Sequence, residues 1–156
     1  MKLLDTGGWT QSLKHQVIEK KKMFLGICLG MQLMATKGYE NNIECNGLNF
    51  IKAEVKSLKK IGCNLKVPHT GWNGINVKNK NNILKDISNV SDYYFNHSYV
   101  VEPENKDIVV STTIHEIEFA SIINLLARSL SSKCNLHSGQ GELIFRVLDI
   151  MVASHE

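Results

Sequence analysis

Apolar residues in this chain recur at two different spacings. A four-residue rhythm marks both ends, and shorter, tighter runs fill the middle. Trp9, Leu13 and Val17 stand every fourth position among polar neighbours, which predicts a helix over about residues 9 to 21, with Thr10 or Thr6 available as its cap. Lys20, Lys21 and Lys22 follow as its solvated end, where cations suit the helix dipole better than they suggest a nucleic-acid patch. Met23-Phe24-Leu25-Gly26-Ile27 is nearly continuous and fits a strand covered on both faces, after which Met31 to Ala35 resumes with helix formers. Leu48 to Val55, Leu65 to Val67, Gly74 to Val77, Tyr93 to Phe95, Tyr99 to Val101, Ile108 to Ile114 and Phe119 to Ile123 read as strands separated by Asn, Gly, Lys and Pro. Leu143, Ile144, Val147, Leu148, Met151 and Val152 share one helical stripe, so a final helix is expected over about 141 to 153, starting near Ser138 or Gly139. No internal repeat or linker composition interrupts this order, which predicts a single α/β domain over residues 1–156.

Composition narrows the function classes. The 156 residues are 43% hydrophobic and 21% charged, a globular balance that excludes disorder and low complexity. A net charge of +3 is too small to make nucleic acid or an anionic membrane the main partner. No apolar run approaches the ~18 to 20 residues that span a bilayer, and the opening Met1-Lys2-Leu3-Leu4-Asp5 does not read as a leader. Cys28, Cys45, Cys63 and Cys134 are widely spaced without a CxxC pair. Reduced thiols, a cytoplasmic setting, and neither metal nor cofactor are therefore expected.

One local pattern carries chemistry. Gly26-Ile27-Cys28-Leu29-Gly30, between a buried strand and a helix, has the form of a nucleophile elbow, in which glycines on either side of a strained turn let backbone approach closely. A cysteine there sits at a helix start that favours its thiolate, and the Leu29 amide follows where an oxyanion would develop. From GxCxG alone, this reading and that of a buried structural cysteine are equally good.

Three motifs together go further. Gly26 to Gln32 resembles the nucleophile motif of class I glutamine amidotransferases. Lys66-Val67-Pro68-His69-Thr70-Gly71-Trp72-Asn73 and Tyr94-Phe95-Asn96-His97-Ser98-Tyr99 resemble two more motifs, in the same order, of the glutaminase subunit family of imidazole glycerol phosphate synthase. The resemblance implies an α/β, flavodoxin-like sheet with flanking helices and a strand-rich second half. It implies that Cys28 attacks the side-chain amide of glutamine, that the thioester is hydrolysed, and that ammonia passes to a β/α-barrel cyclase in a heterodimer serving histidine biosynthesis. Gly30, Gln32, His97, Ser98 and Tyr99 match glutamine-pocket positions, while Trp72 and Asn73 match the surface facing the cyclase. Outside these motifs His97 would read as a satisfied strand histidine and Trp72 as a core tryptophan. Cys45, Cys63 and Cys134 match no family site and read as structural thiols; His15 and His155 read as helix-surface residues, and His115 beside Glu116 as a turn.

The chain also departs from that pattern. The family's opening strands and the glycine-rich loop that supplies a second oxyanion donor have no counterpart ahead of Cys28, and loss of one such donor typically costs ~10² to 10³ in turnover. No His-Pro-Glu motif, which holds the family's base, occurs in the sequence. His137 with Glu142 is the nearest pair that could replace it. Without a base the leaving ammonia lacks a proton and the thioester an activated water, so very poor turnover is expected. Leu130-Ser131-Ser132-Lys133 can be encoded so that a one-base shift reads Phe-His-Pro, which offers a frame shift over about residues 124 to 136 as one origin of the loss, with chance codon degeneracy as the other reading and the nucleotide sequence to decide. A paralogous amidotransferase for surface sugars and a non-catalytic cyclase-binding protein are the alternative readings.

Overall fold

The computed structural model describes residues 1–40, 42–78, 84, 92–126 and 144–148. The four-residue rhythm at the start does yield helix. A short α1 (Lys2–Thr6), which the pattern did not predict, precedes α2 (Trp9–Lys14), and α2 runs on as a π-helical turn over His15–Glu19. Neither threonine caps α2: its N-cap is Gly8 at φ 71, while Thr10 bonds Asp5 and Thr6 bonds the Lys2 carbonyl. Of the expected stripe only Val17 is fully buried, and Trp9 is 62% exposed.

The first apolar run becomes β1 (Phe24–Ile27), followed directly by α3 (Leu29–Met34). After α3 the chain forms β2 (Lys37–Glu40) and β3 (Ile43–Asn46), an antiparallel pair that the polar sequence concealed. The Leu48 to Val55 expectation is only half right, because the strand β4 spans Ala53–Ser57. Residues 48 to 51 instead turn their N–H groups onto the end of α3: Leu48 bonds the Leu33 carbonyl, Asn49 that of Ala35, and Phe50 and Ile51 that of Met34. These carbonyls are the acceptors a helix leaves unpaired at its C-terminus. Gly47 opens this strap because a Cβ there would lie 2.1 Å from the Ala35 oxygen.

Then come β5 (His69–Gly74), β6 (Asn76–Val77), β7 (Asp92–His97), β8 (Tyr99–Pro103), a 3₁₀ turn over Lys106–Ile108, β9 (Val109–His115) and β10 (Ile117–Leu126). Leu65 to Val67, expected as a strand, is irregular: Glu116 accepts from the N–H groups of Asn64 and Leu65, and Lys59 donates to the Leu65 carbonyl. Side chains thereby take the place of a ladder. The turn expected at His115 and Glu116 is present, with Glu116 at φ 63.

The final helix, expected over about 141 to 153, is overturned over residues 144 to 148, and the rest of that span lies outside the described residues. Residues 144 to 148 form β11 (Ile144–Leu148), parallel to β1 and antiparallel to β10. Ile-Phe-Arg-Val-Leu is rich in β-branched and aromatic residues, and a short apolar run satisfies either period; a place between two strands decided for the sheet.

The strands form a five-stranded sheet in the order β1-β11-β10-β9-β6, a four-stranded sheet β3-β2-β4-β8, and a β5-β7 ribbon. The architecture is α/β with a strand-rich second half. One buried cluster joins α3 (Met31, Met34) to Leu48, Ile51, Val101 and Ile123, and a second gathers Leu58, Ile75, Phe95, Val100 and Ile122 behind the ribbon. The cysteine elbow lies beside the first and the ribbon histidines beside the second. Among the described residues no helix is long and apolar enough to cross a membrane.

Candidate active site

Cys28 occupies the junction between β1 and α3 with φ 50 and ψ −110, a conformation that costs an L-residue roughly 1 to 3 kcal/mol. Close approach permits it. A Cβ at Gly26 would lie 2.7 Å from the carbonyl carbon and oxygen of Gly30, so the strand's end can pass the helix's first turn only with glycine there. The expectation that both glycines serve this purpose holds for Gly26 alone, since outside its own helix nothing lies within 4 Å of a Cβ at Gly30. The Cys28 carbonyl accepts from Met31 and Gln32 and so starts α3, leaving Leu29 in the first turn, where N–H groups have no intrahelical acceptor.

Next to the elbow lies a cavity of about 340 Å³ whose wall includes Leu29, Gln32 and Tyr99, named from sequence, together with Tyr39 and Cys45 from the β2–β3 pair. Sequence reasoning had no route to these last two, because the hairpin that carries them has no apolar alternation to mark it. Cys28 itself is not among the described residues lining it, and neither are Gly30, His97 and Ser98; the elbow reaches the cavity through Leu29. His137 and Glu142, the replacement base pair, lie outside the described residues, as do Cys134 and His155.

The second group of named residues sits on the β5-β7 ribbon. Antiparallel register sets His69 opposite His97, Thr70 opposite Asn96 and Trp72 opposite Tyr94. Alternation along each strand then sorts the side chains. On the outer face Trp72, 44% exposed, packs edge-to-face on Tyr94 at 5.7 Å, and Thr70 bonds Asn96. On the inner face His69 and His97 are buried, with His69 Nδ1 3.0 Å from His97 Nε2. Trp72 and Asn73, taken together as a partner surface, therefore part company: the Asn73 amide turns inward, 2.8 Å from the Ile114 carbonyl and 3.3 Å from His69 Nε2.

Burial pushes the His69 imidazole down to about 4, with His115 stacked on it at 4.2 Å and His97 adding like-charge repulsion. His97 is lowered as well, again by burial, against the opposing pull of the Tyr99 carbonyl, 3.0 Å from its Nδ1. Cys63, at the core behind the ribbon, directs its thiol at the His115 carbonyl, in keeping with a structural role. No group of three His, Cys, Asp or Glu side chains among the described residues could hold a metal ion.

Residues 7–130 match the sequence profile of glutamine amidotransferase class-I. The chain belongs to that family. Similar proteins include the imidazole glycerol phosphate synthase subunit HisH 1 of Campylobacter jejuni strain 81-176, 45% identical over 102 residues, which are 65% of this chain and 50% of that protein. The HisH subunit of Aquifex aeolicus is 43% identical over 114 residues, 73% of this chain and 53% of its own, and that of Caldanaerobacter subterraneus is 39% identical over 123 residues, 79% and 58%. The chain spans about half the length of the relatives it matches.

Proposed function

We propose that residues 1–156 form a single glutamine amidotransferase-like domain in which Cys28 is the nucleophile toward the side-chain amide of glutamine, releasing ammonia for a β/α-barrel cyclase. The observation that carries this is the positive-φ turn at Cys28, made possible by Gly26, beside a cavity walled by Leu29, Gln32 and Tyr99. Such a turn lifts the thiol off the sheet edge at a helix start, where the thiolate is favoured, and aligns the Leu29 amide with the developing oxyanion. Gln32 and Tyr99 offer polar partners to the substrate; Gly30 and Ser98 belong to the same two segments. The similarity to HisH subunits supports histidine biosynthesis as the setting, with this chain as one half of a cytoplasmic heterodimer and a glutaminase contributing to a lyase reaction. Trp72 is the anchor we assign to the cyclase-facing surface, because its indole stands outward while Asn73 is occupied within the fold.

Turnover is a separate matter from this assignment. The sequence holds no His-Pro-Glu motif, and the family match ends at residue 130, before His137. We therefore assign the chain very slow glutamine hydrolysis, with His137 and Glu142 as the pair that would have to supply the base. The test is alkylation of the folded chain with limiting iodoacetamide at neutral pH, with and without glutamine. Preferential labelling of Cys28, reduced by glutamine, is expected. Preferential labelling of Cys45, Cys63 or Cys134, or the absence of glutamine protection, overturns the reading.

A further inference from the structure

The inner face of the ribbon contains polar groups that nucleophilic chemistry at Cys28 does not use. His97 Nδ1 faces the Tyr99 carbonyl at 3.0 Å, and a carbonyl only accepts, so the His97 proton resides on Nδ1. His97 Nε2 is then an acceptor, and its neighbour at 3.0 Å, His69 Nδ1, must donate. That leaves His69 Nε2 as an acceptor, and the group facing it is the amide nitrogen of Asn73, which also donates to the Ile114 carbonyl. Each ring nitrogen of both histidines has one partner, and the direction of each bond is fixed by the one before it.

We propose that His69 and His97 are positioning residues: a one-way chain of hydrogen bonds from Asn73 through His69 and His97 to the Tyr99 carbonyl holds both rings neutral with the proton on Nδ1 and fixes the Tyr99 backbone at the cavity wall. One end of the chain adjoins Trp72 and the other a residue lining the cavity, so it ties the outward-facing ribbon to the site beside Cys28. The bond pattern stands on geometry; only its service to glutamine rests on the function proposed above.

A third proton has no place in this arrangement. Protonating His97 Nε2 sets it against the His69 N–H, and protonating His69 Nε2 sets it against the Asn73 amide, which cannot turn its oxygen inward without losing Ile114. The groups around the pair repeat the preference. His115 of β9 stacks on His69 and donates through Nε2 to the Lys66 carbonyl; Phe95 of β7 and Phe119 of β10 pack on both rings; the Cys63 thiol lies beyond His115. Among the described residues the ion pairs involve neither His69 nor His97.

Imidazole nitrogen NMR on the full ¹⁵N-labelled chain tests this, with His69→Asn and His97→Gln used for assignment. At pH 7 both rings are expected as neutral Nδ1–H tautomers, against Nε2–H for His115, a pattern set by the partners of each ring. An Nε2–H signal from His69 or His97 overturns the proposal, and this spectrum needs no variant to fold. His69→Phe keeps a ring to stack on His115 but cannot donate, whereas His69→Asn keeps an amide donor. The His97 titration midpoint should therefore rise by about one pH unit in His69→Phe relative to His69→Asn; equal midpoints overturn the proposal. In the alkylation assay His69→Phe should raise the glutamine concentration for half-protection of Cys28 by roughly 2- to 10-fold, with His69→Asn near the unsubstituted value. Expected tautomers without any glutamine protection would retire glutamine as ligand and leave the hydrogen-bond chain standing.

Discussion

The elbow at Cys28 and the β5-β7 ribbon are two ways of placing a functional group. At the elbow, backbone does the placing: a residue at positive φ, a glycine whose missing Cβ lets Gly30 approach, and a helix begun from the Cys28 carbonyl. On the ribbon, side chains do it, through bonds between residues 28 apart in sequence that meet only because register sets His69 opposite His97. The first arrangement is compact in sequence and intolerant of added atoms. The second is spread along the chain and depends on which atom carries a proton. The two should therefore fail under different perturbations.

The largest expected effect belongs to the elbow. Cys28→Ala should abolish the glutamine-protected thiol labelling of the folded chain and leave its already very slow glutamine hydrolysis at background; glutamine-protected labelling that moves to another cysteine would place the chemistry elsewhere. Gly26→Ala should lower stability by ~1 to 3 kcal/mol in denaturant titration, because the new methyl meets backbone that cannot swing aside, whereas Gly30→Ala should be close to neutral. Equal losses would mean that close approach is not what distinguishes the two glycines.

On the ribbon, Trp72→Ala should weaken binding of a β/α-barrel cyclase by ~2 kcal/mol while leaving the melting temperature nearly unchanged, since the indole is 44% exposed. Asn73→Ala should do the converse and lower stability, having lost two inward bonds. Calorimetry on both variants separates them. The smallest effect is one of pH. His69 titrates lower in the folded chain, at about 4, than its ordinary 6.5, so the unfolded chain binds the additional proton. Its contribution is complete above about 6.5 and drains away as pH falls toward about 4. Urea midpoints measured across that window should decline with acid, and His69→Asn should flatten the slope; an unchanged slope would show that another group governs it.

How much of this was readable beforehand follows the same division. Gly26 to Gln32 announced the elbow because its geometry is local and has a residue signature. The motif around Trp72 announced a surface, but not that Asn73 turns away from it, since facing is settled by pairing with β7. The β2–β3 hairpin was hidden because β3 is exposed throughout, β2 is only half-buried and neither strand shows apolar alternation, and with it Tyr39 and Cys45 escaped notice as cavity wall. The last apolar run reads as helix because Leu143 to Val152 keeps a helical stripe, while the five residues Ile144–Leu148 within it satisfy either period and the gap between β1 and β10 selects the strand.

The strap from Gly47 to Ile51 has a consequence for what lineages can tolerate. A six-residue helix has little standing of its own, and here its final carbonyls are bonded by a linker lying between two strands. That linker acts as a ruler. Its length, more than the identity of most of its side chains, sets whether α3 ends where the elbow needs it to end. Insertions and deletions, which surface connections ordinarily absorb, should be purged from this stretch in working copies and accumulate in it once selection on the thiol has lapsed.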